Sequence, residues 1–147
     1  GHAVAAEQLV FEITESAVMQ DPERALEVLH SLRNCGIHLS VDDFGTGYSS
    51  LAQLKRMPVQ ELKIDQSFIR ELDEQSDDAV IVRSTIDMSH SLGLRVVAEG
   101  VEFQHNLDLL RSWNCDTAQG YLISRPLPAQ AFEQWMQQKQ PLALAGA

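Results

Sequence analysis

The chain has 147 residues, 44% of them hydrophobic, which suits one domain with a core of its own. Its formal charge is −10, from 11 Lys and Arg against 21 Asp and Glu, and no basic cluster appears, which excludes a general electrostatic surface for a nucleic-acid polymer. No apolar run approaches the ~18 residues needed to cross a bilayer, so no membrane contact is expected from this segment.

Leu9-Val10-Phe11-Glu12-Ile13-Thr14 is apolar but for one charge, as in a strand buried on both faces. Asp21-Pro22 then offers a helix N-cap with proline at the first helical position; Ala25, Leu26, Val28, Leu29 and Leu32 carry the helix on, and Gly36 stops it. Ile37 to Val41 reads as a strand that ends on Asp42-Asp43 and the turn Phe44-Gly45-Thr46-Gly47. A short helix is expected over 50–56, closed by Pro58, and a strand over 61–65. Asp77 to Leu92 is a long amphipathic helix that Gly93 closes, and Leu94 to Glu99 is a strand. Gln104 to Trp113 is helical, Thr117 to Tyr121 is a strand, and Pro126 and Pro128 introduce a last helix bearing Phe132, Trp135 and Met136. Cys35 and Cys115 lack nearby metal-ligand partners and read as free, half-buried thiols, which suits a cytoplasmic location. The domain is expected over 9–138. Residues 1–8 are read as a tag scar (Gly1-His2, with no initiator Met) and linker, and 139–147 as a frayed tail. So abrupt an entry into a strand suggests a piece of a longer domain.

Strand and helix alternate five times, which means an α/β protein with a parallel sheet covered by helices. An open doubly wound sheet and a (β/α)₈ barrel both fit. The Gly-x-Gly after Phe44 does not follow the first strand and lacks a third glycine, so it is a weak dinucleotide signal. Glu12, Asp42, Asp43, Lys63, Glu99 and Gln119 fall at or near the C-terminal ends of the five strands, where barrels build active sites, and this favours the barrel. Singly, each has an ordinary explanation: a solvated lysine, a helix-capping glutamate, a loop glutamine. Side by side at a strand end, Asp42 and Asp43 are costly unless a cation binds, and Mg²⁺ or Mn²⁺ prefers carboxylate oxygens; an Asp-Asp turn capping the next helix fits this stretch equally well.

Five segments carry a more specific pattern: Phe11-Glu12-Ile13-Thr14-Glu15-Ser16, Asp42-Asp43-Phe44-Gly45-Thr46-Gly47, Leu62-Lys63-Ile64-Asp65, Ala98-Glu99-Gly100-Val101-Glu102 and Gln119-Gly120-Tyr121. In this order and spacing the chain resembles the EAL-domain family from about Leu9 to Met136. The resemblance implies a TIM-like barrel that hydrolyses cyclic di-GMP to linear pGpG with two Mg²⁺ or Mn²⁺ ions. It implies Glu12, Asp42, Asp43 and Glu99 as metal ligands, with Lys63 and Glu99 catalytic. Glu15, Glu102 and Gln119 would be pocket or supporting residues, and Glu15 with Phe44, Gly45, Thr46 and Gly47 would form a loop tied to dimerisation.

The family's Glu-Ala-Leu motif and an upstream Asn ligand have no counterpart here. The expectation is therefore five βα units of a (β/α)₈ barrel, N-terminally truncated, with an incomplete metal site, no activity of its own, and open edges that favour a homo-oligomer. Two other functions fit less well: a degenerate EAL module that binds cyclic di-GMP or a protein without hydrolysis, and a carboxylate-pair enzyme such as a glycosidase.

Overall fold

The computed structural model describes residues 4–14, 17–18, 20–45 and 51–138. Five parallel strands lie in chain order: β1 (Val10–Thr14), β2 (His38–Phe44), β3 (Glu61–Ile64), β4 (Arg95–Ala98) and β5 (Thr117–Ala118). Between and after them run α1 (Pro22–Asn34), α2 (Leu51–Leu54), α3 (Asp77–Ser91), α4 (Gln104–Ser112) and α5 (Ala129–Gln138). Neighbours in space are neighbours in sequence, as in a barrel wall, and the sheet stays open among the described residues.

Local chemistry sets the helix ends. The Asp21 carboxylate accepts the Arg24 N–H at 3.3 Å with Pro22 opening α1, and the Ser76 hydroxyl accepts the Ala79 N–H to cap α3. Gly36 and Gly93 follow α1 and α3 at φ +90° and +75°, the left-handed turn that a glycine makes without strain.

Register separates the two faces of the sheet, because paired residues point the same way and alternate residues point oppositely. Leu39, Val41, Leu62, Ile64, Val96 and Ala98 fall on one face and are buried. They join Leu29 of α1, Val82 and Ile86 of α3 and Leu110 of α4 in a single core. Each fully buried Leu, Ile or Val contributes about 1.5–3 kcal/mol. Glu12, Ser40, Asp42, Glu61 and Lys63 fall on the opposite face. A wall with one apolar face and one polar face follows directly.

Four expectations are corrected. β1 is not buried on both faces: Val10 is 54% and Phe11 42% exposed, because among the described residues β1 pairs with β2 alone. β2 does not end before the acidic pair but runs through it to Phe44. β5 stops at Ala118 rather than Tyr121. Beyond it the chain turns over Val101, whose N–H donates to the Gln119 carbonyl and whose carbonyl accepts the Leu122 N–H, both at 3.0 Å. The cysteines are free, yet neither is half-buried: Cys35 is exposed and Cys115 buried. The expected tail lies outside the described residues. Among those described, no helix is long and apolar enough to cross a membrane.

At the opposite end of the sheet from the acidic cluster, Asp116 Oδ2 accepts the Val96 N–H and contacts His90 Nε2, each at 2.8 Å, tying α3 to β4 and the start of β5. Burial pushes the adjacent Cys115 thiol up to about 11. A raised folded-state value favours the protonated thiol, so its stabilisation is complete below the unfolded thiol value (about 8.5) and is lost as pH rises through about 11. At pH 8 a thiol reagent should therefore modify Cys35 quickly and Cys115 only after denaturation; equal rates in the native chain would contradict this burial.

Candidate functional site: a lysine among four carboxyl groups

The site begins with a fault in the β2–β3 ladder. Ser40 pairs with Glu61 and Val41 with Leu62, but the next pair is Phe44 with Ile64, so Asp42 and Asp43 together face Lys63. This is a β-bulge, and Asp43 absorbs it at φ 55°, a left-handed conformation that Asp tolerates better than most residues. In a regular strand consecutive side chains would leave by opposite faces. Here oxygens of Asp42, Asp43 and Glu99 lie within 4.8 Å of one another.

Lys63 sits at the centre. Its ammonium lies 2.7 Å from Glu12 Oε1, 2.7 Å from Glu99 Oε1 and 3.3 Å from Asp42 Oδ1, and the residue is 5% exposed. Burial alone would lower its pKa. Hydrogen bonds to Glu12 and Glu99, with the Glu99 charge and Asp42, outweigh burial and hold the ammonium well above the ordinary lysine range. Lys63 is thus charged at every physiological pH.

Asp42 Oδ1 is less well served. It is cut off from solvent and close to the ammonium, yet it makes no well-aligned hydrogen bond. Asp43 has its pKa raised, first by burial and then by the charges of Asp42 and Asp65. Asp65 itself moves down: burial would raise it, but hydrogen bonds from the Ser67 hydroxyl and N–H prevail. An under-coordinated buried carboxylate oxygen, a crowded neighbour and only one cation make a donor set of hard oxygens that fits a divalent ion.

Beside the cluster lies a cleft of about 250 Å³ lined by Gln66, Arg70, Glu99, Glu102, Gln119 and Tyr121. Gly100 and Gly120 form its floor. A Cβ at Gly100, which has φ +69°, would stand 2.5 Å from the Gln66 Cβ, and one at Gly120 would stand 2.2 Å from the Val101 carbonyl oxygen. Only glycine permits these approaches, so both positions shape the cleft.

The structure thus brings together Glu12, Asp42, Asp43, Lys63 and Glu99, and places Glu102 and Gln119 in the adjoining cleft with Glu99. Phe44 packs half-buried on the core, and Gly45 turns at φ +97° against Phe68. Glu15, Thr46 and Gly47 lie outside the described residues. Sequence reasoning assigned no role to Asp65, Gln66 or Arg70. Asp65 could have been suspected from its place two residues after Lys63, whereas Gln66 and Arg70 follow the strand in a loop whose path no pattern announces.

The EAL domain family model matches residues 1–126. The chain belongs to the EAL domain family. A curated EAL relative, the bifunctional diguanylate cyclase/cyclic di-GMP phosphodiesterase MucR of Pseudomonas aeruginosa, is 46% identical over 129 residues, which cover 88% of this chain and 19% of the relative. A solved EAL structure, the PaMucR phosphodiesterase in complex with c-di-GMP, superposes with a TM-score of 0.84 at 45% identity, over 88% of this chain and 57% of that one. Klebsiella pneumoniae BlrP1, solved as a manganese and cyclic di-GMP complex, gives a TM-score of 0.77 at 36% identity, over 84% of this chain and 31% of that one. The solved EAL domains are TIM-barrel-like, and the five parallel strands here match part of that architecture. The chain spans about a fifth of the length of MucR and just over half of the solved MucR chain.

Removing the central cation should expose the repulsion it contains. Lys63→Met is expected to destabilise the chain toward the lower end of the ~3–5 kcal/mol typical of breaking a buried ion pair, since Glu12 is half exposed. The deficit requires ionised carboxylates, so denaturant melts should show it larger at pH 8 than at pH 4. A variant as stable as the parent at pH 8 would contradict the central role given to Lys63.

Proposed function

We propose that this chain is the C-terminal part of a metal-dependent phosphodiesterase that hydrolyses cyclic di-GMP to linear pGpG. The observation that carries the reading is the Lys63-centred cluster with its under-coordinated Asp42 oxygen at the bulge. The phosphodiesterase relatives and the cyclic di-GMP and manganese complexes among the structural neighbours support it. Asp42, Asp43 and Glu99, joined by Glu12, would hold Mg²⁺ or Mn²⁺. Such ions supply Lewis-acid stabilisation of phosphoryl oxygens and a water acidic enough to ionise near neutral pH.

The chain's own groups do the rest. Lys63 keeps its proton on Nζ and offers a fixed positive charge to the attacking water and a phosphoryl oxygen, which lowers the cost of gathering negative charge there. Glu99 borders both the cluster and the cleft, and in this reading it accepts a proton from the water. Glu102 and Gln119 offer an acceptor and an amide to the bound nucleotide. The water oxygen bonds to phosphorus as the P–O3′ bond breaks, and the proton taken up by Glu99 passes on, directly or through solvent, to the 3′ oxygen, which leaves as a hydroxyl. Glu15 with the Phe44–Gly47 turn would link this site to dimerisation, and free thiols suit the cytoplasm.

By this reading the chain alone is inactive, because a barrel site draws residues from strand ends all round the ring and the sheet here is open. Cyclic di-GMP hydrolysis should be assayed with Mn²⁺ or Mg²⁺ for this chain and for one extended upstream by about 100 residues of an EAL domain, the span of the further barrel units. Activity in the extended chain alone supports the reading, and substituting Asp42→Asn there should abolish it. Silence in both favours a module that binds without hydrolysing, and equal activity in both refutes the incomplete site.

The open β1 edge, with Val10 and Phe11 in solvent, is read as a surface for a second copy of the chain. Light scattering should show a dimer or larger assembly, and a clean monomer at micromolar concentration would overturn this.

A further inference from the structure

We propose that Asn106, four residues beyond the Ala98–Glu102 segment and part of none of the motifs above, is a positioning residue for the cleft. It lies on α4 at 0% exposure, and its Nδ2 donates to the carbonyls of Ile69 at 2.8 Å and Leu72 at 3.3 Å. Those carbonyls belong to the segment that leaves β3 after Lys63 and carries Asp65, Gln66 and Arg70. Asp65 adjoins Asp43, while Gln66 and Arg70 line the cleft together with Gln119 and Tyr121.

The chemistry of the amide supports a positioning role over simple filling. Two backbone acceptors demand two donors, and only the NH₂ end of an Asn supplies both from one atom, so the orientation of the amide is determined. Its Oδ1 is buried with no hydrogen-bond partner among the described residues. A leucine, branched in the same way though bulkier, would avoid that cost, which is about 1–3 kcal/mol for a buried unsatisfied group, but would give up both donors. The unsatisfied acceptor is tolerated because the donors hold the segment.

The geometry of the segment makes such a pin necessary. A three-residue 3₁₀ turn, Gln66–Phe68, begins it, and backbone bonds from the Arg70 N–H to the Gln66 carbonyl at 3.0 Å and from the Leu72 N–H to the Ile69 carbonyl at 3.3 Å continue it, all of them within the segment itself. Ile69 and Leu72 anchor it by burial at 0% exposure, but apolar contacts are non-directional and leave rotation about the chain loosely set. Gln66 packs so closely on Gly100 that a Cβ there would stand 2.5 Å from the Gln66 Cβ. The segment's own backbone bonds shape it locally, and the two amide bonds tie that shape directionally to α4. Arg70, the one guanidinium lining the cleft among the described residues, is carried by this segment, and its side chain lies 3.4 Å from Gln66 Oε1.

The effect on nucleotide rests on the function proposed above, whereas the pinning of the segment does not. Hydrogen exchange of Asn106→Leu should rise selectively at amides of residues 66–72, by about tenfold for the loss of two modest hydrogen bonds, with β3 and β4 unchanged. Asn106→Gln, which keeps the donors but moves them, should give a smaller rise in the same residues and serves if the leucine variant fails to fold. A rise spread equally through α4 and β4, or none in 66–72, overturns the proposal.

For ligand, cyclic di-GMP affinity in the extended chain should fall about tenfold in Asn106→Leu while Mn²⁺ affinity holds, and the loss should be less than additive with Arg70→Ala. Full additivity would show that Asn106 does not act through that part of the cleft. If the parent chains bind no cyclic di-GMP, the phosphodiesterase reading fails and exchange alone decides the role of Asn106.

Discussion

The arrangement depends on a single buried ammonium. Lys63 stands where β1, β2, β3 and β4 bring their polar faces together, and it lies within 3.3 Å of three carboxylates from three other strands or their ends. A cation so placed costs burial energy that only its partners repay, and the carboxylates would repel one another without it. The lysine and the acids therefore require one another. Their compensation is incomplete, because one ammonium faces four carboxyl groups, and the residual negative charge is the site's chemical capacity for a divalent ion.

A backbone irregularity makes this possible. The bulge at Asp42-Asp43 forfeits regular pairing and places one residue in the left-handed region, each a local cost. The return is that two adjacent carboxylates share one face. The apolar side of the same strands meets no such compromise. Leu39, Val41, Leu62 and Val96 are packed to exclusion of solvent against α1, α3 and α4, and this rigid wall holds the polar face in place. Among the described residues the left-handed region holds two non-glycine residues, Asp43 at this bulge and Asn114 in the turn after α4, and the cluster uses the first.

The cleft beside the cluster shows the same division of labour. Gly100 and Gly120 allow backbone to approach backbone, and buried Asn106 reaches across to fix the segment facing them. Cleft-lining residues such as Gln119 and Glu102 sit on short connections after β5 and β4. This is the usual economy of a barrel face, in which strands supply the rigid frame and the following loops supply the chemistry.

Much of this was legible in the residues. The alternation of apolar strands with capped helices determined the parallel α/β order, because Asp21, Pro22, Ser76, Gly36 and Gly93 act locally and apolar periodicity needs no tertiary information. The motif spacing around Glu12, Asp42, Lys63 and Glu99 identified the family. Tertiary structure alone decided three things. It created the bulge that turns Asp43 toward its neighbour, since ladder register is a property of two strands together. It left β1 exposed, since an apolar run does not say how many partners it has. And it set Asn106 against a segment 37 residues away in sequence, a pairing of backbone carbonyls with a side-chain amide that leaves no pattern in either stretch.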